Sequence, residues 1–266
     1  DAYDRLMRGG LYDTLTRAGL LIPHDEVDGI DAPAPGAHRI LRPERVPFIS
    51  HPYEWSFGQL RDAALLTLDI QLRALQHDQT LKDASAYNVQ FVRGRPIFID
   101  TLSFEPYAEG SPWVAYRQFC QHFLAPLALM SHRDIRLGQL LRVHLDGIPL
   151  DLAAGLLPRR TKWNLGLGLH LHLHARSQRR YADAAVGAPA KRRVSISKKG
   201  LLALVDGLSR TVAGLTWQPT GTEWHDYYQA NNNYGNDGLD AKAGVVRAML
   251  EAIHPRSVWD LGANTG

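Results

Sequence analysis

Residues near the end of the chain have the types and spacing of a ligand-binding turn. β-Branched, aromatic and aliphatic residues at 256–261 predict a short buried strand, in which Asp260 is the acidic residue. Gly262 and Gly266 follow two and six positions after it. Glycines let the backbone approach a ligand without a Cβ in the way, and such a turn leads into a helix whose N-terminal amides face the ligand. The pattern therefore predicts a site for an adenosyl-type ligand.

A second set of polar residues surrounds a predicted β-hairpin whose turn is Arg-Gly-Arg at 93–95. Asp83 and Asn88 precede its first strand and Asp100 follows its second, so all three side chains should lie at the same end. Two carboxylates and an amide placed in this way could hold a divalent metal with phosphate oxygens and orient a hydroxyl. The structural alternative is that Asp83 caps a turn, Asn88 satisfies loop backbone and Asp100 ends a strand.

Two other groups of reactive side chains favour a structural role. In a strand, His170, His172 and His174 would share a face and indicate zinc, whereas in a helix only the first and third do. No acidic or cysteine partner nearby supplies a third ligand, so we expect histidines packed among helices. Cys120 lies in an apolar helical series, which predicts a buried small side chain.

Elements with clear hydrophobic periodicity must position these residues. The longest predicted helix, at 56–77, leads into the hairpin strands 89–92 and 96–99. Short strands are predicted near 38–41 and 46–50. Helical spacing also predicts helices at 3–18, 113–130 with a kink at Pro126, 135–145, 150–157, 163–181, 201–215 and 239–253.

Composition limits the possible function classes. The chain has 266 residues, 45% of them hydrophobic, which allows one large or two smaller globular units. No run approaches the ~20 apolar residues of a membrane span, and residues 1–20 are too charged for a secretory signal. A net charge of +3 does not favour a nucleic-acid partner. The single cysteine is compatible with a reducing cytosol, so we expect a cytoplasmic protein.

A change in composition predicts the domain organisation. Residues 182–200 are rich in small and basic side chains, which is typical of a linker. We therefore predict one domain at 1–182, a linker at 183–200 and the start of a second domain at 201–266. A doubly wound sheet needs further strand and helix units after its first strand, so we expect the second domain to be incomplete.

The terminal pattern Asp-Leu-Gly-x-Asn-x-Gly resembles the first motif of class I S-adenosylmethionine-dependent methyltransferases. The aromatic-rich segment, the Asn-Tyr loop and the lysine-bearing helix before it resemble the lid of many such enzymes. The resemblance implies a Rossmann-like domain that binds S-adenosylmethionine, with an aromatic ring over its sulfonium. The residues that would lie near this cofactor are Asp260, Gly262, Asn264, Gly266, Tyr228, Tyr234 and Lys242.

The region around the hairpin resembles the catalytic segment of protein kinases and aminoglycoside phosphotransferases, where a helix, Asp-x-x-x-x-Asn, a hairpin and an Asp follow one another. This resemblance implies a mostly helical, mixed α/β fold like a kinase C-lobe. It makes Asp83 the catalytic aspartate, and Asn88 and Asp100 the ligands of Mg²⁺ with ATP. Three features depart from the family: Leu81-Lys82 stands before Asp83, Thr-Leu follows Asp100, and neither a glycine-rich loop nor a lysine occurs before Lys82.

Together, residues 46–129 and 224–266 resemble a bacterial family labelled nodulation-protein NoeA-like, in which a kinase-like segment precedes a class I methyltransferase. The resemblance implies that the intact protein transfers a methyl group to a small-molecule or glycan-type acceptor, and that this chain alone is inactive. It does not identify the acceptor or the catalytic base. Two alternatives stay open: a Mg-ATP-dependent small-molecule phosphotransferase, and a non-catalytic module that supports the methyltransferase.

Overall fold

The computed structural model describes residues 2–27, 37–173, 195–218 and 235–262. The chain divides into two units, Asp1–Trp217 and Gln218–Gly266. Helices dominate the described residues and are accompanied by three two-stranded sheets, which agrees with the predicted mixed α/β, mostly helical class. None of the helices described here is long and apolar enough to cross a membrane.

The N-terminal segment differs from its prediction. In place of one helix over 3–18 there are two, α1 (Ala2–Arg8) and α2 (Leu11–Arg17). Gly10 separates them with φ of 74°, a left-handed conformation that favours glycine and interrupts the helix. Strands β1 (His24–Glu26) and β2 (Leu41–Pro43) then pair antiparallel. The strand predicted at 46–50 does not form.

Helix α3 (Phe57–Gln76) lies at the centre of the first unit and confirms the prediction at 56–77. Ser56 and Gln59 form a capping box, because each side chain accepts a hydrogen bond from the other's backbone N–H. The apolar face of α3 is buried, with Leu60, Ala63, Ala64, Leu68, Ile70, Ala74 and Leu75 each at most 1% exposed. Such a face anchors the elements that follow it in the sequence.

Two antiparallel strand pairs follow α3. Strand β3 (Gln79–Leu81) pairs with β6 (Phe104–Pro106), and between them β4 (Val89–Val92) and β5 (Arg95–Phe98) form the predicted hairpin. Arg93 and Gly94, both with positive φ, make its two-residue turn. The hairpin prediction is therefore confirmed to within one residue.

A long helical segment with a π-helical insert covers this region. It consists of α4 (Tyr116–Phe119), a π-helix (Cys120–Leu124) and α5 (Ala125–His132). Pro126 lies in the first turn of α5, where a proline is tolerated. The predicted helix at 113–130 therefore exists, with a π-helix just before the proline. Trp113, three residues before α4 begins, donates its indole N–H to the carbonyl of Leu81 at 2.8 Å.

The rest of the first unit is built from short helices and one longer helix. A 3₁₀-helix (Ile135–Arg142) takes the place of the predicted helix at 135–145, and α6 (Leu150–Leu156) confirms the helix at 150–157. A second 3₁₀-helix (Arg159–Trp163) is followed by the short α7 (Leu165–Leu167) and a π-helix (Gly168–Leu173).

Helix α8 (Lys198–Ala213) packs against α3 and belongs to the first unit, although the change in composition predicted a second domain at 201–266. The physical reason is its apolar stripe of Leu201, Val205, Leu208 and Val212, which is buried in the core of the first unit. Most of the predicted linker at 183–200 lies outside the described residues.

The second unit contains α9 (Asn236–Ile253), which confirms the helix predicted at 239–253. The strand predicted at 256–261 does not form: these residues have no regular secondary structure, and Val258, Trp259 and Leu261 are exposed. A strand needs a neighbour to pair its backbone N–H and C=O groups, and the described part of this unit contains no other strand. A Rossmann-like identity for this unit remains a prediction.

Candidate functional site

The strand pairing brings Asp83, Asn88 and Asp100 to one end of the sheets. Leu81 pairs with Phe104, so the residues after β3 and before β6 lie at the same end of that pair. Val89 pairs with Phe98, so Asn88 before β4 and Asp100 after β5 also lie at one end of the hairpin. The backbone N–H of Lys82 bonds to the carbonyl of Ser103 at 2.8 Å, which extends the β3–β6 pair. The side-chain amide of Asn88 bonds to the Ser103 hydroxyl at 3.2 Å, so the end of the hairpin lies beside this end of the β3–β6 pair. The three residues therefore lie at neighbouring strand ends.

Ser103 connects two of the three predicted residues. Its hydroxyl donates to Asp100 Oδ2 at 2.5 Å and accepts from the amide Nδ2 of Asn88 at 3.2 Å. Asp100 Oδ1 accepts from the backbone N–H of Leu102 at 2.9 Å. Ser103 is only 1% exposed, so both partners are held against a buried hydroxyl. These hydrogen bonds fix the positions of Asn88 and Asp100 relative to each other.

Gln118 holds the third residue, Asp83, from α4. Asp83 Oδ1 accepts the Gln118 side-chain amide and the backbone N–H of Ser85, both at 2.9 Å. The side-chain oxygen Oε1 of Gln118 accepts a hydrogen bond from the backbone N–H of Ala84 at 2.8 Å. The hydrogen bonds to Asp83 thus fall on one oxygen, and Oδ2 is the oxygen available for other contacts. We call Asp83, Asn88, Asp100, Ser103 and Gln118 the hairpin cluster.

His122, in the π-helix, is a buried neighbour of this cluster. Burial lowers its pKa to about 4, although the negative charges of Asp83 and Asp146 act in the opposite direction. The imidazole is therefore neutral at pH 7. Its ring packs edge-on against Tyr87 with 6.2 Å between ring centroids. Nδ1 of His122 and the hydroxyl of Tyr87 are buried and have no hydrogen-bond partner among the described residues.

The described residues include no group of three or more His, Cys, Asp or Glu side chains that could hold a metal ion by themselves. Asn88 and Asp100 together could supply two oxygen ligands, because each oxygen of Asp100 accepts only one hydrogen bond in the cluster. Mg²⁺ is commonly bound by one or two carboxylates together with substrate phosphates and water. The cluster fits that role and not that of a complete protein cage.

Sequence reasoning did not identify Ser103, Gln118 or His122. The spacing Asp100-x-x-Ser103 is a signal that could have found the serine, because aspartate and serine at turn positions commonly bond to nearby groups. Gln118 lies 35 positions after Asp83, on a different helix. No local pattern relates residues that far apart, so this contact depends on tertiary packing.

The other reactive side chains have structural surroundings. Nδ1 of His170 lies 2.8 Å from the hydroxyl of Tyr116, and Nε2 of His172 lies 2.9 Å from Oγ1 of Thr161. His174 lies outside the described residues. Burial raises the pKa of the Cys120 thiol to about 12, so it is not a thiolate at pH 7. These observations agree with the expected packing roles.

Only part of the predicted adenosyl-type site can be examined. Tyr228, Tyr234, Asn264 and Gly266 lie outside the described residues. Lys242 lines a groove of about 780 Å³ between α9 and the residues that follow it. Asp260 and Gly262 are not among the residues that line this groove. Asp260 is exposed, and Gly262 has φ of 80°.

Comparison with curated proteins finds a long region of similarity. The chain is 36% identical to Nodulation protein NoeA of Rhizobium meliloti (strain 1021) over 229 residues, which are 86% of this chain and 48% of that protein. The chain therefore spans about half the length of the curated relative that it matches. No protein-family model matches the chain, and no solved structure matches it significantly. The similarity supports a NoeA-like family.

Proposed function

We propose, on the basis of this NoeA-like similarity and the terminal glycine turn, that the intact protein is an S-adenosylmethionine-dependent methyltransferase. In this proposal the second unit is the beginning of the methyltransferase domain, and the first unit is a fused kinase-like domain without catalytic activity. The acceptor would be a small molecule or a glycan.

The conformation of Gly262 is the observation that carries this proposal. Its φ of 80° lies in the left-handed region, where residues other than glycine are strained. A Cβ at this position would meet no atom within 4 Å, so glycine is required there by the backbone conformation and not by lack of space. A turn that needs glycine two residues after Asp260 is what the adenosyl-type pattern requires.

The cofactor, when bound, would supply the methyl group. The residues of this chain would bind and orient it: Gly262 and Gly266 by allowing close approach of the backbone, and Asp260 and Asn264 by hydrogen bonding. Tyr228, Tyr234 and Lys242 are proposed to lie near the cofactor, with an aromatic ring over its sulfonium. Helix α9, which carries Lys242, would form one wall of the site.

Calorimetric titration of S-adenosylmethionine into a protein of the full length of NoeA that carries this chain would test the proposal. We expect binding by the wild type and its loss in Gly262→Ala, because alanine disfavours the required φ. Gly244→Ala is the matched control, since Gly244 lies within α9 with open space around it. A folded wild type that does not bind the cofactor, or a Gly262→Ala variant that binds normally, contradicts the proposal.

A second candidate function is phosphotransfer at the hairpin cluster. It is favoured by the convergence of Asn88 and Asp100 on Ser103, with Asp83 at the same end of the sheets. In this function Asp83 would accept the proton of a substrate hydroxyl, and Asn88 and Asp100 would bind Mg²⁺ with ATP. No lysine precedes Lys82, so a lysine partner for the phosphates is not found in this stretch of the chain.

Titration with Mg-ATP distinguishes the two candidates. If the hairpin cluster binds nucleotide, Asp100→Ala abolishes the binding. Asp134→Ala, which removes a partly exposed N-cap aspartate elsewhere in the same unit, leaves it unchanged. If the wild type does not bind Mg-ATP, the phosphotransfer function is contradicted, and the first unit is a kinase-like domain without catalytic activity.

A further inference from the structure

A cavity of about 570 Å³ lies in the first unit, away from the hairpin cluster, between the segment that follows Asn164 and helix α8. The two walls touch at Gly166, where a Cβ would come within 2.1 Å of Oγ1 of Thr211. Beside this contact the walls separate and leave space. The volume is within the range of small-molecule sites, which is roughly 300–1,000 Å³.

The lining of this cavity contains one cationic side chain, Arg210, and two imidazoles, His132 and His170. None of its lining residues is an aspartate or glutamate. Arg210 pairs with Asp206 one turn earlier in α8, but this contact uses only one of its guanidinium nitrogens. The remaining N–H groups of an arginine can donate to a bound anion.

His132, at the end of α5, adds a polar group that needs a partner. Its Nε2 is buried and has no hydrogen-bond partner among the described residues. Burial first, and then the charge of Arg160, lower the pKa of His132. A second guanidinium is therefore close enough to this wall to add positive potential. A buried polar atom without a partner is unfavourable, and a ligand or a water molecule would satisfy it.

Asn164 and two leucines define the mouth of the cavity. The side-chain oxygen of Asn164 caps α7 by accepting the backbone N–H of Leu167 at 3.1 Å. Its amide nitrogen, a donor, is therefore the end that can contact a ligand. Leu165 and Leu169 also line the cavity and are 92% and 52% exposed. Arg210 and Asn164 are exposed as well, so donor groups and leucines lie together at the open side of the cavity. This combination suits a molecule with a charged end and an apolar body.

We propose that this cavity binds a small organic anion, a phosphate monoester or a carboxylate with an apolar part, whose charged end contacts Arg210, His132 and Asn164. This site is independent of both candidate functions above, because it shares no residue with the hairpin cluster or with the second unit.

The test is calorimetric titration of the full chain with three matched probes: phenyl phosphate, benzoate and phenol. We expect heat of binding with the two anions and none with phenol, which has the ring but no charge at pH 7. The affinity for the anions should fall as salt is added, because exposed charges are screened. The tighter of the two anions identifies the charged group.

Two variants locate the binding. Arg210→Gln should lower the affinity for phenyl phosphate about tenfold, as expected for loss of a charge-assisted hydrogen bond. Its control is Arg17→Gln, which removes a similar exposed i,i+4 ion pair. Gly207→Ala should also weaken binding, because its Cβ would lie in the cavity wall 3.8 Å from Nε2 of His170 without clashing. Its control is Gly244→Ala.

Three results would overturn the proposal. The first is that neither anion gives a heat of binding, and the second is that phenol gives the same heat as the anions. The third is that the Arg210→Gln variant binds phenyl phosphate as tightly as the wild type. Circular dichroism of each variant establishes that loss of binding is not loss of fold. Gly207→Ala should not unfold the protein, since alanine is favoured over glycine within a helix. Weaker binding by this variant would therefore report on the cavity itself.

Discussion

At the scale of single residues, the hairpin cluster depends on side chains that are not themselves candidates for chemistry. Ser103 joins Asn88 to Asp100, and Gln118 fixes one oxygen of Asp83. Each connecting group uses both a donor and an acceptor. The cluster is therefore sensitive to loss of a connector as well as to loss of a carboxylate.

Removing the Ser103 hydroxyl should destabilise the protein. Ser103→Ala deprives Asn88 and Asp100 of a shared partner at a buried position, and we expect the free energy of unfolding to fall by about 1–3 kcal/mol. Urea denaturation measures this change. Ser111→Ala, at an exposed position, should stay within about 0.5 kcal/mol of the wild type. Equal effects of the two substitutions would contradict the role given to Ser103.

His122 should make stability depend on pH in acid. Its pKa is about 4 in the folded protein and 6.5 is the ordinary value, so between these values the unfolded chain binds more protons. Stability should therefore be complete above pH 6.5 and fall as the pH decreases towards 4, by at most about 3 kcal/mol.

Urea denaturation at several pH values tests this effect of His122. His122→Phe keeps a ring in the site but removes the titrating group, so its stability should change less across this range. Exposed His51→Gln should retain the wild-type slope. A slope in the His122→Phe variant as steep as in the wild type would show that another group is responsible.

At the scale of elements, a glycine allows a neighbouring loop to pack closely against the π-helix. Gly147 has φ of 88°, and a Cβ there would lie 2.8 Å from the backbone carbon of Gln121 and 3.0 Å from the nitrogen of His122. The adjacent Ile148 donates its backbone N–H to the carbonyl of Gln121 at 2.9 Å. The loop therefore lies directly against the π-helix.

Alanine at Gly147 should cost more than alanine at Gly94 in the hairpin turn. Both glycines have positive φ, so both variants incur a left-handed strain of about 1–2 kcal/mol. Only Gly147→Ala also forces a clash with backbone, which adds about 1–3 kcal/mol. Thermal unfolding of the two variants tests the difference, and similar midpoints would argue against close packing of the loop.

The sequence predicted the elements that local patterns determine. The apolar periodicity of α3 and the Arg-Gly-Arg turn predicted the helix and the hairpin to within one residue. The sequence did not predict the pairing of β3 with β6, because strands of only three residues are too short to show an alternation of polar and apolar residues. The prediction of a strand at 256–261 was wrong because the composition of these residues favours a strand, but a strand also needs a partner strand.

At the scale of the whole molecule, two helices with similar apolar stripes have different surroundings. The stripe of α8 is buried against α3, whereas Val245, Val246, Met249 and Ile253 of α9 are 46–71% exposed. A contiguous exposed apolar face of this kind is typical of an interaction surface. Hydrophobic periodicity predicted both helices and could not distinguish their environments.

Lysine substitutions should report this difference. Met249→Lys in α9 should change the free energy of unfolding by less than about 0.5 kcal/mol and reduce the binding of an apolar dye to the chain. Leu208→Lys in α8 places a charge at a fully buried position and should prevent folding of the first unit. Circular dichroism and dye fluorescence measure both outcomes. A strongly destabilised Met249→Lys variant would contradict the exposure of α9.

The π-helix at Cys120–Leu124 has a consequence for how the chain can change in length. Each residue of a helix advances the side-chain direction by about 100°. Deleting one residue from this segment would therefore turn Gln118 away from Asp83 if the apolar face of α5 stayed in the core. Relatives that keep this contact should have the same number of residues between Gln118 and α5, so a gap there in an alignment would indicate that the contact is lost.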